Sequence, residues 1–115
     1  AREREQFGKP IGAFQAVQHH CADMAIDVLS ARLAAYEAIW RLASGLAADL
    51  ELALAKSWVS EAYQRVCALG HQVHGAIGFT AEHPLHHYFE HAFASAFAFG
   101  DADRHTEQVA RNLGI

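Results

Sequence analysis

At 115 residues the chain is long enough for one domain and too short for two. Hydrophobic residues make up 52% of it, enough to build a core at this size. The net charge of −4 is dispersed and leaves no basic footprint for nucleic acid, no apolar run is long enough to span a bilayer, and the charged start Ala1-Arg2-Glu3-Arg4 lacks the apolar centre of a signal peptide.

Residues 1–6, rich in Arg and Glu, read as the remnant of a preceding helix. A turn and a half does not hold itself together, so this end is expected to belong to something longer or to lean on a neighbour. Gly8, Pro10 and Gly12 then break any periodicity and read as a loop. From about 13 to 43 the period is helical: Phe14, Val17, Cys21, Met24, Val28, Ala31, Ala35, Ala38 and Leu42 recur by threes and fours. Asp23, Asp27, Arg32, Glu37 and Arg41 avoid that seam, and Ser44-Gly45 supplies the stop.

A second long helix is expected over about 48–73, with Leu50, Leu54, Trp58, Ala62, Val66, Leu69 and Val73 as its apolar face and Gly70 weakening its last turn. A glycine-bearing turn follows at 74–83. A shorter helix spans about 84–97, opened by Pro84, carrying Leu85, Phe89, Ala92, Phe93 and Ala96, and ended by Gly100. Asp101 reads as the N-cap of a last helix over about 102–112, with His105 and Val109 inward. Strand-like runs are scarce. The fold class is all-α, one domain over 1–115: an up-and-down antiparallel bundle of four-helix type whose first helix is truncated. The face of the first long helix left open is expected to be covered by another subunit.

Cys21 and Cys67 fall inside helical patterns and read as small buried hydrophobes. Nine histidines raise the question of a metal: His83, His86, His87 and His91 cluster, and His87 and His91 share a helix face. No cysteine or organised carboxylate completes a ligand set, Glu90 being off that face, so no metal is expected. His19, His20 and His105 are read as surface or interface residues.

The segment His71–Tyr88 organises the rest. Gly75 and Gly78 let the backbone bend and let another group approach it closely, and a helix opened by Pro84 follows. Its wording, Gln72-Val73-His74-Gly75-Ala76-Ile77-Gly78-Phe79-Thr80-Ala81-Glu82-His83-Pro84, resembles the Gln-x-x-Gly-Gly-x-Gly-Tyr/Phe-x-x-Glu-x-Pro signature of flavin-dependent acyl-CoA dehydrogenases. A second stretch, Arg4-Glu5-Gln6-Phe7-Gly8-Lys9-Pro10-Ile11 with Gln15 beyond it, is similar to that family's Glu-Arg-x-x-Phe-Gly-x-x-Ile-x-x-x-Gln. The likeness covers the whole chain, but only the family's C-terminal helical domain.

The resemblance implies α,β-dehydrogenation of acyl-CoA thioesters with FAD, a role for this domain in flavin contacts and in a homodimeric, homotetrameric or mixed assembly, and a cytoplasmic location (the mitochondrial matrix in a eukaryote). It places Arg4 and Gln6 at the FAD diphosphate, Phe7 against the dinucleotide, and Gln72 with the backbone of His74, Gly75 and Ala76 at its adenosine-diphosphate end. A guanidinium forks onto phosphate oxygens and an amide can donate beside it. Ala76 stands where the family has a second glycine. The family's usual base, a glutamate after the penultimate helix, falls on Phe99, which cannot accept a proton, so no catalytic residue is assigned. Asp101 and Glu90 are the nearest carboxylates. An alternative follows: a non-catalytic helical subunit of a heteromeric acyl-CoA dehydrogenase-like complex. A third reading, weaker than both, is a His-lined metal-binding bundle.

Overall fold

Twenty-nine residues without a proline or glycine, Gln15–Ala43, wind into the longest element, α1. In the computed structural model, which describes residues 1–80 and 82–115, three more helices follow: α2 (Asp49–His74), α3 (Leu85–Phe97) and α4 (Ala102–Leu113). Ala81, within the turn expected at 74–83, and the Phe79 side chain lie outside what is described.

Each turn has its own chemistry. After α1, Gly45 takes φ +69°, its N–H donates to the Leu42 carbonyl, and the Leu46 N–H reaches back to Arg41, the paired bonds of a Schellman stop. Gly114 (φ +73°) ends α4 in the same way, with Gly114 N–H on Arg111 and Ile115 N–H on Ala110. Asp101 caps α4, its Oδ1 accepting from the Arg104 N–H at 2.9 Å. Lys56, in mid-α2, caps α3 from the side: its Nζ donates to the Ser95 and Ala96 carbonyls at 3.0 and 3.3 Å and to Ser60 Oγ at 2.8 Å.

The centre of the bundle is α2, which packs on α1 along one side and on α3 and α4 along others. Its buried residues are therefore not a single stripe: Ala53, Ala55, Ser60, Ala62, Cys67 and His71 look in several directions. Ala38 of α1 and Ala92 and Ala96 of α3 meet them, so the core is made of small side chains that let the helices approach. Leu54 and Trp58, expected on the apolar face, stay 44% and 39% exposed. The radius of gyration is 17.2 Å, against about 13 Å for a compact chain of this length, which marks an elongated bundle.

Two further expectations fail. Residues 1–6 are not a helix end: Glu5–Gln6 (β1) pairs antiparallel with Lys9–Pro10 (β2), Glu5 opposite Pro10 and Gln6 opposite Lys9. Phe7 and Gly8, at φ +53° and +76°, supply the two left-handed positions that a two-residue hairpin requires, and no helix can run through them. Pro10 lacks an N–H, which an edge strand tolerates. Cys21 is exposed rather than buried, because none of the described residues covers its side of α1.

Candidate functional site

The hairpin arm does not stand free. The Ile11 N–H donates to the Arg4 carbonyl and the Gly12 N–H to the Ala1 carbonyl, both at 2.9 Å, folding the arm back over the start of α1. Arg4 then reaches across the bundle: its Nη1 donates to the His74 carbonyl at 3.3 Å, linking residues 70 apart in sequence. Phe7 is 92% exposed and touches the Phe14 ring edge-on at 6.2 Å, while Lys9 Nζ sits 4.4 Å over that same ring.

At the other end of this link α2 stops. Gly75 takes φ +66° and ψ −149°, a region open only to glycine, and its N–H closes the helix onto the Gln72 and His71 carbonyls. A 3₁₀ turn, Gly75–Phe79, carries the chain toward α3. Gly78 is buried in this corner: a Cβ there would lie 3.1 Å from His74 Cβ and 3.3 Å from Leu85 Cδ2, so only glycine lets the corner close onto α2 and α3.

Arm and corner enclose a cleft of about 410 Å³ between them, within the range of small-molecule sites. Arg4, Gln6, Phe7, Gln72, His74 and Gly75, six of the seven residues singled out in the sequence, all line it. Ala76 does not; it is exposed beyond Gly75. Phe14, just before α1, and Val17 and His20 of α1 form a wall that sequence reasoning did not assign to the site. The signal was present, since these three recur at threes, but Phe14 and Val17 were read as bundle seam and His20 as a surface or interface residue.

The electrostatics of this cleft are one-sided. Among the described residues lining it are a guanidinium, two imidazoles and two carboxamides, and no carboxylate. The Arg4 tether to His74 uses one of five N–H donors and fixes the guanidinium in place. Gly75 has open space where a Cβ would point. Such a set suits an anion with several oxygens.

The turn between α3 and α4 carries no acid-base pair. Phe99 is 94% exposed at φ +62°, and Gly100 follows at φ +102°. His105 Nε2–H donates to the Phe99 carbonyl at 3.0 Å, which fixes the tautomer, and its buried Nδ1 has no hydrogen-bond partner among the described residues. Asp101 is engaged as a helix cap and Glu90 is exposed on α3. Among the described residues no three His, Cys, Asp or Glu converge as metal ligands; His86 and His87 stack at 3.8 Å, and His91 meets Tyr63 Oη at 3.3 Å. No described helix is long and apolar enough to cross a membrane.

An all-α domain with a cleft lined by cationic and amide side chains is what fold and site define. Comparison with known proteins gives this a lineage: residues 1–114 match the family described as acyl-CoA dehydrogenase, C-terminal domain, and the chain belongs to that family. It is 42% identical to acyl-CoA dehydrogenase FadE27 of Mycobacterium tuberculosis, over 98% of this chain and 32% of that protein. Among solved structures it is similar to the ChsE4-ChsE5 complex from Mycobacterium tuberculosis (43% identity, TM-score 0.93, 99% of this chain and 31% of that one). It is also similar to the FAD complex of PigA (32% identity, TM-score 0.95, 99% and 30%). The chain thus spans about a third of the length of the curated relatives it matches.

Proposed function

We propose that this chain is the C-terminal helical domain of an FAD-dependent acyl-CoA dehydrogenase, contributing the diphosphate end of a flavin site and an assembly interface. The observation that carries the reading is the single cleft shared by Arg4, Gln6, Phe7, Gln72, His74 and Gly75. Arg4 and the two carboxamides would hold the diphosphate, Phe7 would lie against the dinucleotide, and the bare backbone from His74 to Ala76 would let the adenosine side approach. FAD, when bound, supplies the hydride acceptor for α,β-dehydrogenation of an acyl-CoA thioester. This domain's part is to hold and orient, not to move the proton.

A second reading is favoured by one residue. With Phe99 where the family's glutamate base falls, the chain suits a non-catalytic subunit of a heteromeric acyl-CoA dehydrogenase-like assembly whose partner brings the base. The solved ChsE4-ChsE5 complex is a relative of two components, which supports this alternative over a homodimer or homotetramer. Either assembly fits a cytoplasmic, or in a eukaryote mitochondrial-matrix, protein.

The test is FAD affinity in the assembled protein. Arg4→Ala removes a charge-assisted fork worth about 1.5–3 kcal/mol and should weaken FAD binding by roughly 10- to 150-fold. Unchanged affinity removes Arg4 from the site. Purified alone, the chain should not turn over acyl-CoA, and measurable dehydrogenation would refute the assignment of the base elsewhere.

A further inference from the structure

The side of α1 turned away from α2 is apolar along its length. Ile26, Leu29, Leu33, Tyr36 and Trp40 follow one another by three, four, three and four residues, and each is 56–62% exposed. That is the spacing of a coiled-coil seam, with Ile26, Leu33 and Trp40 at one register position and Leu29 and Tyr36 at the other. Ala38, on the opposite side of the helix, is buried within the chain. We propose that this seam seats the α1 of a second copy of the chain, parallel and in register, with Arg32 of each copy paired to Glu37 of the other. The pairing suits a homomer, or a heteromer that holds this chain twice. It rests on the assembly interface in the reading above and names its occupant.

Charge selects the partner and its direction. Arg32 flanks the seam on one side, and Glu37, five residues on, flanks it on the other. Arg41, Arg65 and Arg111 each hold a carboxylate of the chain. Arg32 holds none among the described residues and lies over the Tyr36 ring at 5.8 Å instead. In a parallel pair, a residue flanking the seam on that side faces the residue five further on in the other helix. Arg32 therefore meets Glu37 of the second copy, twice by symmetry. Glu37 can turn to it, because Arg41, which it holds at 2.7 Å, has a second carboxylate in Glu51 at 3.2 Å. No like charges meet, since Gln18 then faces Asp23 and Ala25 faces Ser30.

Antiparallel packing does worse. With Leu29 against Leu33 of the second copy, Arg32 faces Arg32 and Asp23 faces Glu37; with Leu33 against Tyr36, Arg32 faces Ile39 and stays unpaired. The area is sufficient for a second copy. The five seam residues and Ile39, 59% exposed beside them, leave on the order of 100 Å² uncovered each, so two copies bury about 1,200 Å² together, the lower edge of stable interfaces.

The experiment is cysteine cross-linking in the assembled protein that carries this domain, in a Cys21→Ala background because Cys21 is exposed on α1. Ile26→Cys, Leu33→Cys and Trp40→Cys are oxidised one at a time and separated on non-reducing gels. In the parallel pair each of these positions lies opposite itself within disulfide reach, so all three should link two copies of the chain, and the background protein should link none. Sedimentation then reads the strength of self-association. Arg32→Glu and Glu37→Arg should each weaken it about tenfold or more, and the double variant should return it to within about threefold of the wild type. Linking at Leu33→Cys alone means an antiparallel pair, and linking at none of the three means that another part of the protein or a different subunit occupies the seam. Either result overturns the proposal, as does a double variant no stronger than the single ones. A protein that stays assembled through those results keeps the assembly reading, whereas one that is monomeric throughout overturns both.

Discussion

Adding one methyl group at either of two glycines eight residues apart, Gly70 and Gly78, should move stability in opposite directions. At Gly78 the new Cβ would lie 3.1 Å from His74 Cβ, 3.3 Å from Leu85 Cδ2 and 3.4 Å from His71 Cδ2. The Leu85 methyl can rotate away. His74 Cβ cannot, because it is fixed to the last turn of α2, and His71 is only 3% exposed, held by its Nδ1 bond to the Cys67 carbonyl and an edge contact with Phe89 at 4.7 Å. Overpacking of this kind costs about 1–3 kcal/mol. At Gly70, within α2, a Cβ meets nothing nearer than Leu85 Cδ1 at 3.9 Å, an ordinary contact, so helix propensity alone decides and Ala gains about 0.5–1 kcal/mol. For a domain of this size one kcal/mol moves Tm by ~4 °C, so Gly78→Ala should lower it by about 4–12 °C and Gly70→Ala should raise it by about 2–4 °C. Far-UV circular dichroism of the two variants beside the wild type reads both. A Gly78→Ala protein that melts at or above the wild type, or a Gly70→Ala protein that falls as far as Gly78→Ala, refutes the packing account of this corner.

Acid should dissolve the strap between α1 and α2. Arg65 forks onto Asp27, Nη2 to Oδ1 at 2.9 Å and Nε to Oδ2 at 3.1 Å, and this hydrogen bonding, aided by charge and opposed by burial, holds the Asp27 carboxyl below its ordinary range. A depressed carboxyl stabilises the fold above the unfolded value of about 3.9 and loses that contribution as pH falls through the folded value. With Arg65 42% exposed, solvent screening limits the pair to about 0.5–1 kcal/mol. Urea denaturation should show Asp27→Asn weaker than the wild type at pH 7 and the gap closing as pH drops below about 4; a gap independent of pH contradicts the strap. Ile26, Leu29, Leu33, Tyr36 and Trp40 lie along one face of α1, each 56–62% exposed, and an apolar seam of that length is expected to find a partner. Light scattering of the chain should therefore show self-association, and a strict monomer at high concentration would count against it.

That same helix shows how far the sequence could be read. Its period is helical on two faces at once. The seam through Val17, Met24, Ala31 and Ala38 packs against the rest of the chain, while the one through Ile26, Leu33 and Trp40 is equally periodic and stays open. Periodicity reports that α1 is a helix in a bundle, not which stripe this chain itself covers. In α2 the large residues Leu54 and Trp58 drew attention and the alanines did the packing, because a helix with neighbours on several sides needs small residues to let them close in. Caps were legible wherever the chemistry is local, as at Asp101 and Gly45. The arm was not, since the residue that makes the hairpin possible is Phe7 at φ +53°, a conformation its side chain does not advertise.

The candidate site divides along the same line. Arg4 and Gln72 were visible through their motifs, and their meeting in one cleft follows from the arm folding back over the start of α1. His20 was visible only as one of nine histidines, because its place in the cleft depends on the depth at which α1 crosses the end of α2, which no local pattern encodes.

The most direct measurement is a crystal structure of the assembled protein with FAD bound. The account predicts the diphosphate between arm and corner, within hydrogen-bond distance of the Arg4 guanidinium and against the backbone around Gly75. Flavin held elsewhere, with this cleft empty or filled by another part of the protein, would contradict it.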